Sequence, residues 1–398
     1  MAAANVTVRR LPAPPRPAEP RRSPAAHGES PPPPGRPLRV AMLAPPWIPT
    51  PPPKYGGIEA VVHQLVRGLV DRGVEVTLFA APGSQAPGAE VIAPLDRPHP
   101  QAIGDAWIEV DHVARAFALV DRAAHHGCPF DVVHDHCGCA AIAMADRLDT
   151  PLLHTLHGPF DEKTSPFYAA HARKAYVAAI SRWQLRAAPG GIRTVGVIPN
   201  PIDVEAWPFE PRKGDHLLWI GRMTAYKGAH RAIAVAKRCG RPLVIAGPVQ
   251  RGQEEYFARE VEPHVDGDRV RYVGEVGGVE KQRLFAEAGA LLMPIRWPEP
   301  FGMVMIEAMA TGTPVIAFRE GAACEVVSDG GCGFLVDDED GMVAAVGRLA
   351  EIDPAACRRH VQDAYDVPVI ARAYERAYRQ VREAAGARAG ARAQAMPV

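Results

Sequence analysis

Short apolar runs alternate with helix-compatible segments through most of this chain. The first run covers residues 38–43 and is stopped by two prolines, as expected of a buried parallel strand that ends at a loop. Residues 59–69 then carry apolar side chains at helical spacing, and Gly73 separates them from a second apolar run at 74–79. This order predicts a βαβ unit, which the N-terminal half continues with strands at 131–134, 152–155 and 176–180.

The same alternation begins again after a proline-rich stretch near residues 200–215. A strand is predicted at 217–220 and a helix over 229–239. Further strands are predicted at 243–246, 270–273, 290–294, 314–317 and 333–336. Repeated units of this kind form parallel, doubly wound sheets, whose ligands bind at the carboxyl ends of the strands. We therefore expect an α/β fold with two Rossmann-like domains that face an interdomain cleft.

The two ends of the chain lie outside these domains. The first 37 residues are rich in proline and contain almost nothing that could be buried, so we expect disorder, with a polyproline ligand as the alternative. The segment after residue 366 is amphipathic and predicts a closing helix that packs back on the N-terminal domain, before an end that frays. The predicted limits are 1–37 for the disordered tail, 38–205 and 206–366 for the domains, 367–385 for the closing helix and 386–398 for a flexible tail.

Composition narrows the class of protein. The 398 residues exceed what one hydrophobic core usually organises, and 45 Lys and Arg balance 45 Asp and Glu. Because the formal net charge is zero, the protein as a whole does not attract nucleic acid electrostatically, and we expect at most peripheral contact with a membrane. Seven unevenly spaced cysteines do not form a disulfide framework, and neither an apolar signal core nor a spanning run of ~18 apolar residues is present. We expect a cytoplasmic protein, and its oligomeric state stays open.

The segment from Glu299 to Glu307 carries the clearest chemical signal. Pro300 favours an extended or turn backbone, Gly302 allows close approach of a ligand, and residues 303–310 predict a helix without a breaker. The unpaired amides of the first turn of that helix carry partial positive charge and form an anion site. Two acids therefore frame a site for a phosphate-sized anion, which suggests an enzyme that binds a sugar nucleotide.

A second chemical segment, Gly221–Gly228, follows the first strand of the C-terminal half. Arg222 can fork two phosphate oxygens and Lys227 supplies a compact charge, as a diphosphate requires. A solvated surface turn is the alternative interpretation of this segment taken alone. Its predicted position beside the acidic segment favours ligand binding.

Together these segments resemble the retaining GT-B glycosyltransferases of family 4. The resemblance spans about residues 38–381 and depends above all on the acidic pair in E-x7-E spacing. The other motifs are Gly56-Gly57-Ile58-Glu59, Asp131 to His136, Thr155 to Gly158, Ala179 to Ser181, Ile198 to Asp203 and the Gly221–Gly228 turn. The resemblance implies a transferase of the hexosyltransferase type that acts in glycan biosynthesis.

The resemblance also implies a role for each matching position. Glu299 is expected at the hydroxyls of the donor sugar and Glu307 at those of the ribose, while Arg222 and Lys227 clamp the diphosphate. His157 is expected near the reacting sugar. The implied catalytic set is Glu299, His157, Arg222 and Lys227. The donor-binding set adds Gly56, Gly57, Phe301, Gly302, Met303, Val304 and Glu307, and the acceptor side consists of Glu59 and His136.

Neither of two possible metal clusters is favoured. His134 and His136 lie on one face of a predicted strand beside Cys137 and Cys139, but polar lining of the cleft is the favoured interpretation. The sequence Asp338-Glu339-Asp340 spells D-x-D, yet a solvated loop explains it better. We expect no metal and no cofactor, with the nucleotide sugar as a co-substrate.

The predicted reaction moves a sugar from a UDP- or GDP-sugar to an acceptor hydroxyl, with the retention of anomeric configuration that the resemblance implies. The alternatives are a sugar-nucleotide epimerase of the same fold and a catalytically silent sugar-nucleotide-binding protein. Pro201 and the proline-rich insertion at 49–53 depart from the family pattern. The acceptor therefore cannot be carried over from a relative, and the base and the donor sugar stay open.

Overall fold

The computed structural model describes residues 36–54 and 56–395, and side chains as far as residue 388. The predicted disordered tail lies outside the described residues except for its last two. Of these, Arg36 forms an ion pair with Asp131, with 2.7 Å between Nη2 and Oδ1.

A seven-stranded parallel sheet forms the N-terminal domain. Its strands are β1 (Arg39–Leu43), β2 (Glu75–Phe79), β3 (Glu90–Ile92), β4 (Val132–Asp135), β5 (Leu152–Leu156), β6 (Tyr176–Ala179) and β7 (Arg193–Val197). Its helices are α1 (Gly57–Asp71), α2 (Ala106–His125), α3 (Ala140–Ala143), α4 (Thr164–His171) and α5 (Arg182–Arg186). The spatial order of the strands is β3-β2-β1-β4-β5-β6-β7. The central strands are buried, which explains their continuous apolar runs.

A six-stranded parallel sheet forms the C-terminal domain. Its strands are β8 (Leu217–Ile220), β9 (Leu243–Ala246), β10 (Val270–Tyr272), β11 (Ala290–Met293), β12 (Val315–Phe318) and β13 (Gly333–Val336). Its helices are α6 (Ala229–Cys239), α7 (Glu254–Glu260), α8 (Gly278–Glu287), α9 (Met303–Ala310), α10 (Ala323–Val326), α11 (Glu339–Val346) and α12 (Pro354–Tyr365). The spatial order is β10-β9-β8-β11-β12-β13.

The strand order of each sheet reverses at one point, which lies between β1 and β4 in the first sheet and between β8 and β11 in the second. The connecting segments leave to opposite sides there, so a crevice opens at the carboxyl ends of these strands. The segments that follow the four strands carry Gly57, His136, Arg222 and Glu299. The predicted α/β fold with two Rossmann-like domains is thus confirmed, and its topology gathers the predicted site residues.

The last helix, α13 (Val367–Ala395), joins the end of the chain to the N-terminal domain. It packs along α1, and Ile370, Tyr374 and Tyr378 are buried in the core of that domain. It continues past the predicted end at residue 385, because its alanine- and arginine-rich sequence has a high helix propensity. Although α13 spans 29 residues, neither it nor any other described helix is both long and apolar enough to cross a membrane.

The polypeptide passes from one domain to the other twice, near Ile202 and near Val367, and these two segments are hydrogen-bonded to each other. The amide of Ile202 donates to the carbonyl of Tyr365 at 2.9 Å, and the amide of Val367 donates to the carbonyl of Ile202 at 3.1 Å. Across the cleft, the carboxylate of Glu325 in α10 accepts hydrogen bonds from the amide of Arg182, at 2.7 Å, and from that of Trp183. These contacts set the relative position of the two domains.

Several elements, among them β3, β7, α2, α11 and α12, were not predicted from the pattern. The two strands lie at the edges of the sheet, where β3 has only three residues and β7 contains Gly196, so neither gives a clear strand signal. Helix α2 is capped at its start by Asp105, whose carboxylate accepts from the amide of Trp107 at 2.9 Å. Its buried Val113, Ala116, Phe117 and Val120 have helical spacing, which is the signal that could have revealed it.

Candidate active site

A cavity of about 370 Å³ lies in the cleft between the two domains. The N-terminal domain contributes Gly57, Ile58, Val61, His157 and Ile180 to its wall, and the interdomain linker contributes Asn200. The C-terminal domain contributes residues after β8, among them Arg222 and Lys227, and residues after β11, namely Ile295, Trp297 and 299–304. Most of the side chains expected at a donor therefore meet in one space.

Helix α9 begins at this cavity. Gly302 precedes it with φ of +84°, a left-handed conformation that glycine adopts at little cost. A Cβ there would lie 2.7 Å from Cε of Met305 and 3.1 Å from Cε of Met293. The helix is buried from Met305 to Ala310, so only its first turn, with the unpaired amides of such a turn, borders the cavity. The predicted helix at 303–310 is confirmed, and its start can receive an anion.

Glu299 and Lys227 form an ion pair at the cavity wall, with each side chain only 15% exposed. The Lys227 ammonium also lies 5.3 Å from the centre of the Trp297 ring, within range of a cation–π contact. The backbone of Glu299 is held from the far side, where the amide of Ala322 donates to its carbonyl at 2.9 Å. A Cβ on Gly321 would approach that carbonyl oxygen to 2.4 Å, so this loop needs glycine to pack against Glu299.

Arg222 lies beside this pair. Its Nη2 donates to the hydroxyl of Tyr226 at 3.1 Å, while the carbonyl of Tyr226 accepts from the amide of Arg296 at 3.0 Å. Within the described part of the chain no carboxylate forms an ion pair with Arg222. The guanidinium therefore keeps donors for a ligand, and Tyr226 joins the loop after β8 to the loop after β11.

Glu307 lies deeper in α9, and only 8% of it is exposed. Its Oε1 accepts from Lys281 of α8 at 2.5 Å, whereas its Oε2 is buried without a hydrogen-bond partner among the described residues. The ammonium of Lys281 also lies 5.8 Å from the ring centre of Trp207. Lys281 was not predicted to lie at the site, because nothing in its local sequence connects it with Glu307, 26 residues away.

The glycine loop lies at the start of α1, across the cavity. A Cβ on Gly56 would meet Cβ of Pro52 at 2.5 Å, so the protein itself requires glycine there. A Cβ on Gly57 would have no protein atom within 4 Å, and Gly57 lines the cavity. Glu59, two residues further along α1, is 5% exposed and is not among the lining residues. Burial raises the pKa of Glu59 to about 7.

His157 is half-buried at the cavity wall, and burial lowers its pKa to about 3. Its Nε2 lies 2.9 Å from Nδ1 of His136. The predicted acceptor-side position of His136 needs correction: its side chain is fully buried behind His157 and has no surface on the cleft. Strand β4 ends at Asp135, and the next side chain points into the protein, where Nε2 of His136 lies 3.4 Å from Nδ1 of His134, which the motif alone did not indicate.

Among the described residues no group of three or more His, Cys, Asp and Glu side chains is arranged to hold a metal ion. The acidic turn has a structural role, because Asp338 caps α11 and its Oδ1 accepts from the amide of Gly341 at 2.8 Å. Glu339 and Asp340 pair with Arg231 and Arg238. Positive charge at the cavity instead comes from Arg222, Lys227 and the start of α9, beside a partly buried acid. This arrangement can bind the diphosphate of a sugar nucleotide and stabilise the negative charge that develops as the diphosphate leaves.

Two facing Rossmann-like domains with this cleft define the GT-B class of α/β proteins. The structure of AviGT4, a glycosyltransferase involved in avilamycin A biosynthesis, superposes with a TM-score of 0.67 at 28% identity, covering 87% of this chain and 99% of that one. Anabaena HepE in complex with UDP and glucose shares the fold with a TM-score of 0.65 at 20% identity, covering 86% of this chain and 100% of that one.

Sequence comparison leads to the family. The family profile described as Glycosyltransferase Family 4 matches residues 55–206, and the profile of Glycosyl transferases group 1 matches residues 205–367. A glycogen synthase of Mycobacterium tuberculosis is 29% identical over 377 residues, covering 82% of this chain and 89% of the relative. The chain therefore belongs to the family 4 glycosyltransferases of the GT-B fold, and it is a transferase.

Proposed function

We propose that this protein transfers a sugar from a UDP- or GDP-sugar to an acceptor hydroxyl, with retention of anomeric configuration and without a metal ion. The observation that carries the proposal is the meeting of Lys227, Glu299 and the start of α9 at one wall of the cleft. The donor diphosphate would lie against Arg222, Lys227 and the α9 amides, and Gly57 leaves room for it on the opposite wall. Glu307 would accept hydrogen bonds from the ribose.

The Lys227–Glu299 pair has a specific role in this proposal. A diphosphate offers the ammonium of Lys227 a stronger partner than one carboxylate, so donor binding would release Glu299 to accept hydrogen bonds from sugar hydroxyls. As the anomeric C–O bond breaks, its electron pair goes to the diphosphate, whose growing charge the two cations and the helix start stabilise. The acceptor oxygen forms the new C–O bond on the same face, and the departing phosphate takes its proton. His157 would hold the sugar from the N-terminal side.

The charge balance of the cleft supports transfer without a metal ion. Arg222, Lys227 and the amides of α9 offer the fixed positive charge that a divalent cation would otherwise supply to the leaving group. Activity should therefore persist in EDTA. Complete loss in EDTA that manganese restores would overturn this part of the proposal.

The test of the function has two stages. Thermal shift with UDP- and GDP-sugars first identifies the donor, since a bound donor raises the melting temperature by mass action. Release of nucleoside diphosphate is then followed with short glucans, inositol phosphates and natural-product glycosides as acceptors, and NMR of the product gives the anomeric configuration. Donor binding without release of nucleoside diphosphate in the presence of any acceptor would contradict transfer, and an inverted product would contradict retention.

A further inference from the structure

The two ring nitrogens of His157 face different surroundings. Its Nε2 points into the protein and contacts Nδ1 of His136 at 2.9 Å, with 5.2 Å between the two ring centres. Its Nδ1 has no hydrogen-bond partner among the described residues and is not fully enclosed. Because His157 lines the cavity, Nδ1 is the nitrogen that a ligand can reach.

His136 uses both of its ring nitrogens inside the protein. Its side chain is fully buried, and its Nε2 lies 3.4 Å from Nδ1 of His134. His134 is equally buried, and its own nitrogens contact the hydroxyl of Tyr378 and Oγ1 of Thr155, each at 2.8 Å. A continuous chain of hydrogen bonds therefore runs from the cleft to α13, which carries Tyr378.

All three histidines are neutral at physiological pH. Burial, reinforced by the neighbouring imidazoles, holds the pKa of His134 and His136 well below the ordinary value. The pKa of His157 is lowered to about 3 by burial first and by His154 second. A neutral imidazole has one donor nitrogen and one acceptor nitrogen, so each contact in the chain limits the next.

Hydroxyl groups continue the network beyond His134. The hydroxyl of Tyr378 contacts Nδ1 of His134, and that of Tyr374 contacts Oγ1 of Thr155 at 2.9 Å, which in turn contacts Nε2 of His134. Both ring nitrogens of His136 are engaged inside the protein, at His134 and at His157. Whichever role Nδ1 of His136 takes, Nε2 of His157 must take the complementary one.

We infer that His136 is a positioning residue that holds His157 in a single tautomer and orientation through the contact between its Nδ1 and Nε2 of His157, and thereby presents Nδ1 of His157 to the cleft in one fixed role. Nδ1 of His157 then forms a hydrogen bond with a hydroxyl of the substrate. The inference rests on the proposed function for the identity of that hydroxyl, which belongs to a sugar. Without His136 the ring of His157 would be free to change tautomer and to rotate.

The tautomer can be measured directly by ¹⁵N NMR of histidine-labelled wild-type protein, with His157→Asn to assign the signals. We expect the ¹⁵N signals of a single tautomer for His157 in the wild type, and a shift of both signals towards a tautomer average in His136→Leu. Averaged His157 signals in the wild type, or signals unchanged in His136→Leu, would overturn the inference. This readout needs no turnover, so it decides the tautomer even if the wild type transfers no sugar and the proposed function fails.

Kinetics provide the second test. We expect His136→Leu to lower kcat/KM by about 10- to 100-fold, because His157 loses its orientation. His136→Asn should recover part of the loss, since its side-chain amide can form a hydrogen bond at the position of Nδ1. The double variant with His157→Leu should be no slower than His157→Leu alone, and additive losses would contradict a role that acts through His157. The matched control is His112→Leu, which replaces a fully buried histidine of α2 that does not belong to this network of hydrogen bonds. It should keep wild-type activity.

Discussion

Lys227 and Glu299 neutralise each other at the wall of the interdomain cleft. They come from loops after different strands, β8 and β11, and each side chain is 15% exposed. The pair keeps two charges in place inside a partly desolvated site. A ligand that binds both residues must therefore separate them, and the energetic effect of each side chain can be tested by removing its partner.

Replacing Lys227 with methionine should slow transfer while the protein stays folded. Methionine retains the length and the contact with Trp297 but removes the cation, so the leaving diphosphate loses one stabilising group. Loss of one such group costs about 3 kcal/mol, or roughly 10²-fold in kcat. Steady-state kinetics with saturating donor measure the effect. Lys237→Met is the matched control, because that exposed lysine of α6 contacts His264 away from the cleft. Equal rates in the two variants would refute the role of Lys227.

Replacing Gly57 with alanine should reduce activity without reducing stability. The added Cβ meets no protein atom within 4 Å, and alanine is a better helix former than glycine at the start of α1. Only a bound ligand would be obstructed, so we expect a higher donor KM and an unchanged or higher melting temperature. Gly190→Ala is the control, since its Cβ is also unobstructed but lies on an exposed loop. An unchanged KM in Gly57→Ala would mean that the donor does not approach this wall.

The Glu59→Gln variant should differ from the wild type in a pH-dependent way. The carboxyl has a pKa near 4.5 when unfolded and about 7 when folded, so between these values only the folded state holds the proton. Wild-type stability therefore falls as the pH rises through this window, and glutamine removes the effect. The free energy of unfolding of Glu59→Gln, relative to that of the wild type, should rise by about 2–3 kcal/mol from pH 5 to pH 8. Urea unfolding at both pH values measures it, and the exposed Glu280→Gln should give no such change.

Replacing Lys281 with methionine should destabilise the protein through Glu307. The buried carboxylate would lose its partner on Oε1, while Oε2 already has none among the described residues. We expect the free energy of unfolding to fall by about 1–3 kcal/mol. Adding Glu307→Gln removes the unpaired charge and should recover part of that loss in urea unfolding. Additive losses in the double variant would show that the two side chains do not interact.

The chemistry of the 299–307 segment could be predicted because its signals are local. Proline, glycine and an uninterrupted apolar run define the start of α9 within a few residues, and the helix begins and ends where predicted. The contacts that surround it are not local. Gly321 and Lys281 reach the site from another loop and another helix, and no pattern in a single sequence relates them to it.

His136 was predicted to line the cleft, and this prediction was wrong. The motif identifies a polar strand end, and cleft lining was the natural interpretation. Whether a side chain after β4 meets solvent or core depends on which element covers it. Here Tyr374 and Tyr378 of α13 close the chain of hydrogen bonds behind it, more than 200 residues further along the sequence.

The sequence by itself determined the alternation of strands and helices, the division into two sheets and the anion-binding start of α9, because these depend on the spacing of apolar residues and on the backbone preferences of glycine and proline. Only the tertiary structure decided which charges neutralise each other and which nitrogen of His157 remains available. Those properties depend on distances between groups far apart in the chain, and such distances exist only once both sheets and the closing helix have packed together.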